Sequence, residues 1–115
     1  MRTSLFAILA VLIVAGCASA RPSYIPPPVS EAMTAFAERS WQSDAAALER
    51  GRVAMLAHCG QCHGMPSIHE EDQDQWTGTI QKMVKRAAKA GTPIPANDAT
   101  AITHYILAAN ATVAK

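Results

Sequence analysis

Two thiols and an imidazole stand together in the run Cys59-Gly60-Gln61-Cys62-His63. Thiols at this spacing can each add across one vinyl group of a haem. An imidazole directly after the second thiol is then placed to bind the iron from one face. The C-x-x-C-H run thus predicts one covalent haem c, with Cys59 and Cys62 as thioether positions and His63 as the proximal iron ligand. Two other chemistries use the same residue types. Cys59, Cys62 and a histidine pair could hold zinc, but that site makes no use of the direct Cys-His junction. A thioredoxin-like dithiol pair would need a βαβ context, and no period-2 strand pattern is present in the chain.

The compartment bears on the same thiols. The chain has 115 residues and three cysteines, the third being Cys17. Arg2 precedes an apolar run over residues 5–15, of signal-peptide length and too short to cross a bilayer comfortably. Val14-Ala15-Gly16-Cys17 resembles a lipobox. That resemblance implies a lipoprotein-type signal peptide over 1–16 and a lipid on Cys17 of the mature chain. Ala18, standing where an acidic retention residue would otherwise follow, favours the outer membrane. Ala18-Ser19-Ala20 offers the alternative of ordinary signal peptidase and a soluble periplasmic protein starting at Arg21. An uncleaved anchor is the third reading. Each puts the domain on the periplasmic side of a bacterial membrane, and with haem and lipid in place no thiol is left unpaired there. The formal net charge is +1, and zero once Arg2 leaves with the signal, so nothing argues for a nucleic-acid partner.

A haem iron held by His63 needs a sixth ligand or stays open. The candidates are Met55, Met65, Met83, His69 and His104. Met65 is two residues from His63, so their Cα atoms are at most about 7 Å apart. That is too close for ligands on opposite faces of a macrocycle. Met83 has ample chain to reach the far face, although a methionine at helical spacing is also ordinary core material.

The elements that must position these groups are helical. Residues 21–30 hold four prolines and read as an extended tether or a disordered N-terminus. Residues 31–40 could form a short helix, with Met33, Phe36 and Ala37 on one side. The next helix starts near Ser43 or Asp44 and runs toward His58, which reads as a surface residue at its end. Gly51 inside this helix costs about 1 kcal/mol relative to alanine, a cost that close approach of another helix would justify. A further helix spans about 72–90. Trp76, Ile80, Met83 and Ala87 form its apolar stripe. Lys82, Lys85, Arg86 and Lys89 cluster opposite, as a solvated face or a dock for an acidic partner. Trp76 could donate to a haem propionate or simply pack. Gly91 ends this helix, and Asn97 or Asp98 can cap the last one, whose apolar face is Ile102, Tyr105, Ile106 and Ala109.

Helix, haem motif, helix, proline loop and helix over residues 44–115 resemble the class I cytochrome c family. The resemblance covers about two thirds of the chain. It is specific at the haem motif and looser elsewhere. It implies an all-α small cytochrome c fold, with the first and last helices crossing around a covalent haem and with Gly51 meeting Tyr105. Trp76-x-x-x-Ile80-x-x-Met83 also matches compact cytochromes whose methionine at this place binds the iron, with Lys82 where arginine is more usual. Met83 is thereby implied as the distal ligand, with His104, His69 or an open site as alternatives. The division expected is 1–16 signal peptide, 17–43 lipidated N-terminus with Pro-rich tether and short helix, and 44–115 cytochrome c domain. The function expected is periplasmic electron transfer between redox protein donors and acceptors, not catalysis. The electron would leave by the haem edge near Cys59 and Cys62. The alternative is an open-site haem protein acting on peroxide or sensing a gas. A chain this short has a marginal core, so the haem-free protein is expected to fold poorly.

Overall fold

The computed structural model describes residues 24–61 and 63–115. The expected signal peptide, Cys17 and Cys62 lie outside the described residues. Within them the chain is all-α, with four helices and no strand: α1 Glu31–Trp41, α2 Ala45–His58, α3 Trp76–Lys89 and α4 Ala96–Thr112. None is long and apolar enough to cross a membrane.

Local chemistry sets most of the ends. The Ser30 side chain caps α1 by accepting from Met33 N at 3.2 Å, and Asp44 caps α2 by accepting from Ala47 N at 2.8 Å. Gln42 turns the chain between them in the left-handed region, φ 56°, where its N–H closes onto the carbonyls of Ala37 and Glu38. Gly91, φ 80°, ends α3 as expected. Two boundaries differ from expectation. Residues 72–75 form a separate turn, with the Gln75 side chain accepting from Asp72 N at 3.3 Å, so α3 starts a turn late. Neither Asn97 nor Asp98 caps α4. Pro95 takes that position, its carbonyl accepting from Ala99 N at 3.0 Å, and Asp98 is engaged elsewhere.

The central element is α4, which touches the other three helices; α3 touches α4 alone. The core collects Met33 and Ala37 from α1, Leu48, Ala54 and Met55 from α2, Trp76 and Ile80 from α3, and Ile102, Tyr105, Ile106, Ala108 and Ala109 from α4. Helices α2 and α4 approach closely at Gly51. A Cβ there would fall within the envelope of the Ala101 carbonyl oxygen and 2.8 Å from Tyr105 Cβ. Glycine at 51 is therefore what lets these two helices meet, and Tyr105 is the aromatic it meets.

Contacts with the core reach back to Tyr24. Residues 24–30 are extended but do not stand off in solvent as a tether. Pro26 is fully buried. Its carbonyl accepts from Arg52 Nε at 3.2 Å, and the Pro27 carbonyl accepts from the Tyr105 hydroxyl at 2.5 Å. The cause is α4: it is apolar on several sides, and α2 and α3 leave one of them uncovered. Helix α1 and the proline strap close it.

Candidate functional site

Helix α2 delivers Cys59 as its C-terminal cap, where Cys59 N donates to Met55 O at 2.9 Å. The side chain is buried, and burial pushes its thiol up to about 11. His63 follows on the turn beyond. Met83, Arg86 and Ala87 come from successive turns of α3, and Ile94 from the loop after Gly91. With His58, these residues line one cavity of about 80 Å³. Shallower hollows elsewhere, including one of about 650 Å³ between residues 29–38 and 45–49, gather no such donor set.

His63 is exposed, and its Nδ1 lies 2.8 Å from the Gly64 carbonyl oxygen. A carbonyl only accepts, so Nδ1 carries the proton and the Nε2 lone pair is left for a metal. Metal-binding histidines are commonly oriented in this way. Half-buried Met83 supplies a thioether, and Ala87 and Ile94 supply apolar wall. The donors thus suit a haem iron and its attachment.

The space fits less directly. About 80 Å³ is below the ~150 Å³ of an apolar cavity that takes up benzene, so a macrocycle requires the turn bearing His63 to stand farther from α3. That turn is the loosely tied part of the site. Gln61 N reaches His58 O only at 3.5 Å, and an added Cβ on Gly64 would meet nothing within 4 Å.

Of the sixth-ligand candidates, Met83 alone lines the cavity with His63. Met55 is fully buried in the core. Met65 is half-buried against the core, its methyl beside Gly60. His104 stacks face to face on Trp41, centroids 4.3 Å apart, and burial lowers its pKa. His69 has both ring nitrogens buried with no hydrogen-bond partner among the described residues, and it does not line the cavity. Trp76 takes the packing role of its two readings. It is buried, and its indole N–H donates to the Ile68 carbonyl at 3.0 Å, which leaves no free donor for a propionate. Among the described residues no three His, Cys, Asp or Glu side chains converge as a metal-binding group.

Three features of the site escaped the sequence. His58 is no free surface residue; it pairs with Asp98 at 2.9 Å, tying the end of α2 to the start of α4 beside Cys59. Asn110 Nδ2 donates to the carbonyls of Ile68 at 2.7 Å and Glu71 at 3.0 Å, strapping the segment after the C-x-x-C-H run to α4. Ile94 closes the cavity. The available signal for Asn110 was a lone amide near the end of an otherwise apolar helix face.

Comparison with known proteins adds no relative: no family model, curated protein or solved structure matches the chain.

Proposed function

We propose that this protein is a one-haem electron carrier of the cytochrome c type. Cys59 and Cys62 would hold the group as thioethers, and His63 and Met83 would bind its iron. The observation that carries this reading is the cavity: His63 and Met83, far apart in sequence, line it together beside Cys59. The close approach of α2 and α4 at Gly51 and Tyr105 supports the class I cytochrome c fold. A bound haem supplies a one-electron Fe(III)/Fe(II) couple, at a potential that thioether ligation raises relative to paired histidines.

The chain's own residues do the rest. The Gly64 carbonyl fixes the His63 tautomer. Helix α3 presents Met83, while Ala87 and Ile94 supply apolar wall beside it. The His58–Asp98 pair holds the end of α2, and with it Cys59, against α4. The protein works on the periplasmic side of a bacterial membrane, anchored by a lipid on Cys17, and passes electrons between redox proteins.

Expression with intact signal peptide and haem-attachment machinery tests this. The denatured protein should keep covalent haem, and a chain without it overturns the proposal. Met83→Ala should abolish the Met–Fe(III) charge-transfer band of the oxidised protein; an unchanged band removes Met83 as ligand.

One observation favours the open-site reading, in which the protein acts on peroxide or binds a gas. His58, bonded to Asp98, brings an imidazole–carboxylate pair to the cavity wall. Ferrous carbon monoxide binding separates the two. Rapid uptake with no ligand to displace favours the open site, and slow uptake favours Met83.

A further inference from the structure

Among the described residues, the large apolar side chains left exposed are Ile25, Val53 and Leu56, which are 75%, 54% and 43% open to solvent. Exposed apolar residues scattered singly need no explanation. These three are not scattered. Val53 and Leu56 stand three positions apart on α2, where helix geometry makes them neighbours. The Pro26 carbonyl, bonded to Arg52 Nε at 3.2 Å, lays the strap and Ile25 with it beside the same helix. At about 100° per residue, Ala45, Leu56, Glu49 and Val53 share one arc of α2 that begins at Arg52. The charged residues of that arc, Arg52 and Glu49, pair with each other at 3.1 Å. The face is thus apolar, with its charge closed on itself. A helix side that meets only water is ordinarily polar.

Position adds to composition. Packing on the core begins at Tyr24, the residue before Ile25. Cys17 is seven residues earlier. Because the prolines of the strap are laid on the bundle, that short span is all that separates the fold from the anchor. Its Cα atoms can be at most about 25 Å apart from end to end. With a lipid on Cys17, the side of the domain that carries Tyr24 and Ile25 is held near the headgroups. A contact made within a tether is intramolecular, so a small apolar area suffices to hold it.

We propose that Ile25, Val53 and Leu56 form a membrane-contact face, which rests on the bilayer and inserts these side chains among the lipid headgroups. The proposal rests on the lipid-anchor reading of Cys17. Apolar side chains presented from a helix side enter the headgroup boundary in this way, and they do so without needing surface charge. A second copy of the chain is a poorer occupant. A stable interface between proteins takes roughly 20–30 residues a side, far more than this patch supplies. The anchored domain thereby lies on the membrane by its α2 and strap side in one preferred orientation, and α3, which packs on α4 alone, stays in water.

The test uses the full-length, lipidated, haem-loaded protein in neutral phosphatidylcholine vesicles. With Cys17 and the C-x-x-C-H thiols occupied, a nitroxide goes on one introduced cysteine, Val53→Cys on the face or Lys85→Cys on exposed α3. Power saturation reads collisions with oxygen, which partitions into lipid, and with a water-soluble nickel chelate. The label at 53 should meet nickel about threefold less often than the label at 85, and oxygen more often. Adding Ile25→Asp/Leu56→Asp should erase the difference. The milder Ile25→Ser/Leu56→Gln pair should narrow it and covers the case in which the charged pair does not fold. Equal nickel access at 53 and 85 overturns the proposal. Loss of both oxygen and nickel collisions at 53 marks a protein surface, a second copy included, and overturns it too. A difference erased by ~0.5 M salt assigns the contact to charge, with the same consequence. Mass spectrometry reads the mature N-terminus separately. An unmodified chain beginning at Arg21 removes the anchor reading and this proposal with it, whereas lipidated protein whose label at 53 stays open to nickel removes the proposal alone.

Discussion

An added Cβ at Gly51 would strike the Ala101 backbone and come within 2.8 Å of Tyr105 Cβ; at Gly64 the same atom would meet nothing within 4 Å. The two glycines mark two regimes. Around Gly51, helices α1, α2 and α4 and the proline strap interlock, and Pro26, Met33, Leu48, Met55 and Tyr105 are almost fully closed to solvent. Around Gly64, the described residues between Cys59 and Gln75 run mostly as turns and bends outside the helices. A few side chains reaching from α3 and α4 hold them. The donor set sits where the second regime meets the first. Cys59 and Met83 are fixed on helices, and His63 rides on the turn that can yield. A prosthetic group larger than the present cavity can be taken in by moving that turn, with the three-helix core left alone.

The largest expected effect breaks the interlocked side. Gly51→Val should destabilise the protein by about 3 kcal/mol or more, because the obstructing atoms are backbone and cannot rotate away. Gly64→Ala should stay within about 0.5 kcal/mol, since space is open and its backbone is not left-handed. Thermal and denaturant melts of the pair check the contrast. Similar losses at both sites would mean that the turn is as tightly built as the helix crossing.

A middle-sized effect sits at the seam. Asn110→Ala removes both donations to the Ile68 and Glu71 carbonyls. The Ile68 oxygen keeps the Trp76 indole N–H, while the Glu71 carbonyl loses the bond that Asn110 made. About 1–3 kcal/mol should be lost. Hydrogen exchange should speed up over residues 64–75 and stay slow in α2. Uniform acceleration across the bundle would show that Asn110 supports the core and not the site segment.

The same division explains what the sequence disclosed. Helix periods, the Gly91 stop, the approach of Gly51 to Tyr105 and the inward face of Met83 are local or pairwise signals, and the structure agrees with each. The proline strap misled because composition reports an extended backbone and is silent about what that backbone lies on. Its burial depends on Arg52 and Tyr105, distant in sequence. Asp98 misled for a related reason. A carboxylate at a helix start suits a cap, but His58 lies close enough in space to claim it and Pro95 already sets the entry geometry. Trp76 has one polar and one packing reading in the sequence, and only the fold brings the Ile68 carbonyl to its N–H.

The smallest effect tests the strap. Burial, with smaller contributions from Tyr24 and Glu49 set against Arg52, raises the Tyr105 hydroxyl well above its ordinary value of 10. The folded protein therefore holds this proton more tightly than the unfolded chain does. Stability from the neutral hydroxyl is complete below pH 10 and declines as pH rises from there toward the folded value. Tyr105→Phe should cost about 1 kcal/mol at neutral pH by leaving the Pro27 carbonyl without its donor. It should also flatten that alkaline decline and hasten proteolysis within residues 24–30, with little change at the cavity. A Phe variant that melts like wild type at pH 7 and still loses stability above pH 10 would mean that α1 and the buried Pro26 hold the strap without the hydroxyl. The interlocked regime would then owe its closure to apolar packing alone.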